Sequence, residues 1–292
     1  MAIRTSLAAV APDGDEAVAA RAIQLARAHR ARLLLLRVLE QQPPAGETPF
    51  PIDAATIDRE LRRAAGESLQ RLAATADVPA ELLLETGKAH AVIARLAADR
   101  NADLLLIGPG RPRNLRQRMF GSTAARPIRA APAPLLLVKR PAAGPCAADP
   151  YTDIVVGVDF SAESKRAARA AAMVAPGAGL TLLHVVEIPL SFEQALLESG
   201  AGSAAIARYR RSLQQQARRR LRLQFEAEFP DAILRVPCGD AAELLVRASR
   251  MQGELLMAIG AEGADRMAER LLGSTARRLL LRSRADVLLI PG

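Results

Sequence analysis

With 292 residues, half of them apolar, the chain has material for two domains of ordinary size, each with its own buried core. No apolar run approaches the roughly 20 residues that cross a bilayer, and the stretch after Arg4 is cut by Pro12-Asp13-Gly14, unlike a secretory signal. The formal charge of +9 rests on arginine, since 40 Lys+Arg less Lys88, Lys139 and Lys165 leaves 37; these alternate with Asp and Glu and Trp is absent, so nucleic acid is not the expected partner.

From the N-terminus, apolar runs over 7–10, 33–39, 81–84, 104–107 and 135–138 predict strands. Amphipathic stretches over 15–29, 57–74, 89–99 and 122–130 predict helices between them. Continuous Leu/Ile/Val runs suit strands buried on both faces of a parallel sheet. A Pro-rich loop, 41–56, follows the second strand, and the segment 141–150, with its prolines and no periodicity, is a linker. Beyond it the alternation returns, with strands over 153–158, 180–186, 233–237, 255–259 and 287–290. Helices are predicted over 161–175, 204–228, 241–251 and 274–282, and a second long loop over 188–203. The expected organisation is one α/β domain over 1–140, a linker over 141–150 and a second α/β domain over 151–292. Each would hold an open, five-stranded parallel sheet with helices on both faces. Cys146 falls in the linker and Cys238 beside a glycine, without a repeat partner, which suits a reduced, cytoplasmic protein.

The halves repeat one another. Gly87, Gly108 and Gly121 recur as Gly239, Gly260 and Gly273, each at an interval of 152 residues (239−87, 260−108, 273−121). A unit of this length is a whole domain and not a solenoid repeat.

The chemistry lies after the fourth strand of the second half. There Ile259-Gly260-Ala261-Glu262-Gly263 leads through nine residues to Gly273-Ser274-Thr275, which opens a helix. Glycines at strand ends let a backbone approach a ligand closely. The N-terminus of the last helix offers free N–H groups and the positive end of its dipole to an anion, and Ser274 and Thr275 can cap that helix or donate hydroxyls to phosphate. By themselves these glycines are equally a turn followed by a helix cap.

The full spacing, Gly260-x-x-Gly263, nine residues, Gly273-Ser274, resembles the ATP-binding signature of the universal stress protein family. Val155-Val156-Gly157-Val158-Asp159-Phe160-Ser161 is similar to that family's first strand and acidic residue. Leu182-Leu183-His184-Val185-Val186 is similar to its second strand, and 284–290 to its closing strand. The resemblance runs through both halves, so the chain looks like a tandem member with a Rossmann-like fold. It implies that Asp159 accepts hydrogen bonds from ribose or adenine, while Gly157 and the Val185 backbone line the adenine pocket. Ile259 and Gly260 would flank the nucleotide, Gly263 would admit its phosphates, and Gly273, Ser274 and Thr275 would bind them. Without the family match, Asp159 is equally part of a helix N-cap.

The first half departs from this pattern. Counting back ten from Gly121 reaches Arg111 where a glycine is wanted, Pro109 and Pro112 remove backbone donors, and Ala11 stands where the second half has Asp159. Gly108, Gly121 and Ser122 remain. The expectation is a nucleotide loop kept only as scaffold. Glu262 and Asp265 put carboxylates into the second loop, where Arg266 and Arg270 can offset them and where Mg²⁺ has ligands.

His29, His90 and His184 fit no metal or catalytic constellation; His184 has Arg37 at its repeat position and is read as structural or solvated. No Gly-x-Ser-x-Gly elbow or Walker-type Gly-Lys-Ser/Thr occurs, so no catalytic residue is assigned. The stretch 208–225 is a basic amphipathic helix, read as covering the sheet with its arginines toward water, the alternative being a face for an acidic partner or RNA. The resemblance implies regulatory binding of ATP or a related adenine nucleotide, with or without Mg²⁺, in stress adaptation and without fast turnover. Alternatives are an interaction protein of the same fold and a slow ATPase. It also implies an intramolecular pseudo-dimer through 135–138 and 287–290, with a homodimer as a further arrangement.

Overall fold

The structure, a computed structural model, describes residues 2–11, 16–40, 54–74, 76–109, 132–139, 149–189, 191, 194, 203–251, 253–262 and 272–292. The chain divides into two compact units between Pro150 and Tyr151.

The first unit runs β1 (Thr5–Ala9), α1 (Glu16–His29), β2 (Arg32–Leu39), α2 (Ala54–Ala74), β3 (Ala80–Thr86), α3 (Ala89–Asp99), β4 (Leu104–Ile107) and β5 (Leu135–Leu137). Its strands pair in parallel in the order β3-β2-β1-β4-β5. The second unit runs β6 (Asp153–Gly157), α4 (Ala162–Val174), β7 (Gly179–Leu183), α5 (Ser203–Phe225), β8 (Ile233–Arg235), α6 (Ala241–Ala248), β9 (Leu255–Gly260), α7 (Ser274–Arg282) and β10 (Asp286–Ile290). Its order, β10-β9-β6-β7-β8, is the same topology. Both are parallel α/β sheets. Within each, strand order reverses beside the first strand, between β1 and β4 and between β6 and β9.

Apolar runs account for the sheets. Leu33 to Leu36 are fully buried in β2, and every residue of β9 and β10 is buried, as strands covered on both faces require. At the start of β10 the buried Tyr151 hydroxyl donates to Asp286 Oδ2 at 2.6 Å. Two of the helices, α1 and α3, stop where a residue turns left-handed, Arg30 (φ 52°) after α1. Asn101 (φ 49°) follows α3, with Ala102 N–H donating to Ala97 O at 2.9 Å and Asn101 N–H to Ala98 O at 3.1 Å, the paired bonds of a Schellman end. Among the described residues no helix is long and apolar enough to cross a membrane.

The repeat is written in the backbone. Gly87 has φ +142° and donates to Leu39 O at 2.9 Å; Gly239 has φ +145° and donates to Val186 O at 3.1 Å. A side chain at either site would be strained, and its Cβ would stand 3.3 Å from Val92 or 3.2 Å from Leu244.

Four boundaries differ from expectation by three residues: α2 starts at Ala54, before the expected 57, and α5 ends at Phe225, short of 228. β7 ends at Leu183, with Val186 in an isolated bridge to Cys238, and α6 ends at Ala248, where Ser249 returns its hydroxyl to Val246 O at 2.7 Å. The helix expected over 122–130 and the body of the linker, 141–148, lie outside the described residues.

Candidate functional site

In the second unit the reversal sets the carboxyl ends of β6 and β9 side by side, where doubly wound sheets open a crevice. The chain leaves β6 through Val158-Asp159-Phe160-Ser161. Asp159 Oδ1 accepts from the Ser161 N–H at 3.0 Å and its hydroxyl at 2.5 Å. Ser161 then caps α4 by accepting from Ser164 N–H at 3.1 Å. Phe160 completes the turn at φ 66°, a strained conformation for a bulky residue. One oxygen of Asp159 is thus committed to the N-cap, while Oδ2 accepts no hydrogen bond among the described residues. Both readings of Asp159, cap brace and acceptor, are open to the same side chain.

The early end of β7 has a cause. The last ladder bond from β6 is Val158 N–H to Leu183 O at 2.9 Å. In a continuing parallel ladder, Val185 N–H would next donate to Val158 O. The imidazole of His184 takes that carbonyl instead, with Nδ1 2.8 Å away and therefore carrying the proton. On the β8 side pairing goes on, His184 N–H to Arg235 O at 3.0 Å and Val186 N–H to Pro237 O at 2.9 Å. Val185 is left with neither its N–H nor its C=O engaged among the described residues. Burial holds His184 below its ordinary pKa of 6.5, with the bond to Val158 opposing that shift and Arg220 adding to it. Its ring lies 4.3 Å from that of Phe160, which carries the Arg220 guanidinium 4.2 Å from its centroid. Sequence reasoning passed over His184 because its twin is an arginine; its role depends on where β6 stops.

On the other side of the crevice, the glycines are demanded first by packing. A Cβ on Gly260 would stand 2.8 Å from Glu163 Cβ, so the first turn of α4 sits directly on the end of β9. The Glu163 side chain is buried there and ion-paired with Arg166 at 3.3 Å. A Cβ on Gly157 would meet Leu245 at 3.2 Å and Ile259 at 3.6 Å. Ile259 is itself buried.

Beyond β9, Ala261 N–H donates to Ile290 O at 2.8 Å and Gly273 N–H to Ala261 O at 2.9 Å. The second bond clasps the two ends of the loop, delivering the start of α7 to the end of β9. Gly263, Asp265, Arg266 and Arg270 lie outside the described residues. The Glu262 carboxylate lies against Gly292, within 2.8 Å of where a Cβ there would be. Among the described residues no group of three His, Cys, Asp or Glu could hold a metal ion.

Three helices start at this edge, and their ends are not alike. α4 is capped by Ser161. At α6, Asp240 accepts from Glu243 N–H at 2.6 Å and Glu187 from Ala241 N–H at 2.6 Å. Asp240 also holds Arg278 of α7 at 2.8 Å, a bond that keeps its carboxyl below the ordinary range. α7 differs: its N-cap is Gly273, without a side-chain bond, and no acid stands in its first turn. Neither Ser274 nor Thr275 caps the helix, contrary to expectation, because the helix begins at Ser274 and both lie inside its first turn. Ser274 is exposed and Thr275 half-buried. The N–H groups of Ser274 and Thr275 have no backbone acceptor among the described residues, so α7 is the open anion position at this edge.

The first unit is built differently at the same place. Val10 N–H donates to Leu36 O at 2.9 Å, as Val158 does to Leu183. Beyond that bond the buried Arg37 Nη2 donates to Ala11 O at 2.8 Å. A cation and a methyl group therefore stand where the second unit has His184 and Asp159.

The family model described as the universal stress protein family matches residues 3–139 and again 150–291. A universal stress protein of Thermus aquaticus, found in the 3' region of a QAH/OAS sulfhydrylase, is 31% identical over 127 residues, covering 44% of this chain and 91% of that protein. The crystal structure of a universal stress protein from Archaeoglobus fulgidus matches with a TM-score of 0.63 at 17% identity, covering 98% of both chains. A universal stress protein solved in complex with cAMP matches 48% of this chain and 98% of its own, at 22% identity and a TM-score of 0.37. With both halves matched by one family model, the chain belongs to the universal stress protein family, one family domain following another.

Proposed function

We propose that the second unit binds ATP or a related adenine nucleotide as a regulatory ligand in the cytoplasm, and that the first unit does not. The observation that carries this reading is the pairing of two openings at one sheet edge. On one side His184 releases the Val185 N–H and C=O, a donor and an acceptor of the kind that reads an adenine edge. On the other, α7 begins without a cap, so its first N–H groups and the hydroxyls of Ser274 and Thr275 are available to phosphate. Asp159 Oδ2 supplies the acceptor for ribose hydroxyls between them. Gly157, Ile259 and Gly260 form the floor, and Gly263 would give the phosphates room.

ATP, with Mg²⁺ on its phosphates, is the nucleotide of choice, and binding rather than turnover is the function. Phosphoryl transfer needs a positioned nucleophile or base, and this reading assigns that role to no residue. The test is release of bound nucleotide from the purified full chain by denaturation and chromatography, followed by equilibrium dialysis with labelled ATP. Uptake that Asp159→Ala weakens supports the proposal. A chain that takes up no adenine nucleotide at millimolar concentration would leave the fold serving as an interaction module. Metal-dependent phosphate release at roughly 1 per second or faster would make it an enzyme instead.

A further inference from the structure

The helix that follows the second strand carries very different charge in the two units. On α2, Arg62 pairs with Asp58 at 2.7 Å, and Arg63 with Glu60 and Glu67 at 2.8 and 2.7 Å. Its counterpart α5 holds seven arginines and no acid. Arg208, Arg211, Arg218, Arg219 and Arg222 are exposed, and among the described residues none of the five is in an ion pair. Ile206, Ala217, Leu221 and Phe225 bury the opposite side of the helix. At 3.6 residues per turn the five guanidinium groups fall within an arc of about 100° and along about 21 Å of helix. Gln215 stands in the middle of that row, and no apolar residue interrupts it.

The row ends at a cleft. Between the end of α5 and edge strand β8 lies a cavity of about 300 Å³ lined by Arg218, Arg222, Glu226, Phe229, Pro230 and Leu234, among others. Phe229, Pro230, Ala232 and Leu234 supply its apolar part, and Arg218 and Arg222 of the row line it as well. Glu226 is the one carboxylate there.

We propose that this face of α5 and the adjoining cleft bind single-stranded nucleic acid, independently of the nucleotide site. Five arginines in a row, none in an ion pair among the described residues, neutralise a phosphate backbone. The exposed Leu223 and Tyr209 beside them stand about 21 Å apart along the helix and form no apolar centre of the kind a protein partner needs. A duplex laid along the row keeps its bases paired and has none to place in the adjoining cleft. A single strand instead lays its phosphates along the row and turns one unpaired base into the cleft beside Phe229. The overall sequence, with its arginines alternating with acids, hides this; α5 is where the alternation fails.

The test is fluorescence anisotropy of a labelled 20-nucleotide RNA of mixed sequence against the full chain between 50 and 200 mM KCl. Five neutralised phosphates predict a slope of log K on log salt of about −3.5, or roughly 100-fold weaker binding across that range. Changing Arg208, Arg211, Arg218, Arg219 and Arg222 to Gln should remove most of that slope. Changing five exposed, scattered arginines, Arg4, Arg59, Arg71, Arg247 and Arg250, to Gln removes the same charge and should leave most of the binding; circular dichroism checks that both variants are folded. Equal losses in the two variants, tighter binding of polyglutamate or of duplex RNA than of the single strand, or no saturable binding at 50 mM KCl would each overturn the proposal.

Discussion

The exits of β1 and β6 occupy the same place in two copies of one fold, yet they are finished with opposite chemistry. In the first unit a buried guanidinium, Arg37, reaches past the last ladder bond to Ala11 O at 2.8 Å. In the second, His184 takes Val158 O at 2.8 Å, and the next residue, Asp159, offers a carboxylate. Both side chains tie the departing chain to the neighbouring strand, which is why the fold tolerates either. The imidazole does so while neutral and within the ladder, so Val185 is released and the crevice carries no added cation. The same structural task is done once by a buried cation and once by a ring that leaves the Val185 amide unengaged among the described residues.

The largest break in this comparison should come at Gly260. A valine there places its Cβ 2.8 Å from Glu163 Cβ, which belongs to the first turn of α4 and cannot simply rotate away. Overpacking of this kind costs about 1–3 kcal/mol, and the displaced helix carries Asp159 with it. Urea unfolding should show the loss of stability, and ATP uptake should disappear. A Gly260→Val protein as stable as the original would mean that α4 and β9 do not meet as described.

Next in size is His184→Arg, which copies the first unit into the second. Because Arg37 is accommodated in a buried position, the protein should fold with little change in Tm. ATP affinity should fall about 10-fold or more as the Val185 amide loses its role, a change near 1.4 kcal/mol. Unchanged affinity would separate His184 from the site.

Much of this was legible in the residues. Continuous Leu/Ile/Val runs located the strands, since strands covered on both faces need nothing else, and the glycine interval announced two copies. The details that missed are those one residue can decide. Ser274 looked like a cap, but Gly273 holds that position, because its N–H is drawn to Ala261 O, a tertiary bond that no local pattern carries. His184 fits no metal or catalytic constellation, so the sequence carries no signal for its role. Its actual partner is a backbone carbonyl left over where Phe160 turns the chain at φ 66°. The end of β7 was overrun for the same reason, as Val185 and Val186 have the composition of a strand but no ladder on the β6 side.

The cap correction makes a smaller prediction. Ser274→Ala should leave stability untouched, whereas loss of a true cap costs about 1 kcal/mol. ATP affinity should drop about 2- to 10-fold for one lost hydrogen bond to phosphate, about 0.5–1.5 kcal/mol. Thermal melting with and without ATP reads both effects in one experiment.

The smallest effect is that of pH. His184 has a folded pKa below its unfolded value of 6.5, because burial disfavours the imidazolium. The unfolded chain therefore binds more protons as pH falls through 6.5, and this contribution to stability declines until the folded pKa is passed. Melts at pH 7.5 and 5.5 should show a loss of Tm on acidification that is smaller in His184→Gln, whose amide can donate to Val158 O without titrating.

The central claim, that two copies of one fold have divided into a unit that binds and a unit that does not, is tested most directly by calorimetric titration of the full chain with ATP and Mg²⁺. The account predicts one site per chain, weakened by His184→Arg and unaffected by Arg37→Gln. Two equivalent sites, or a single site that responds to Arg37→Gln and not to His184→Arg, would contradict it.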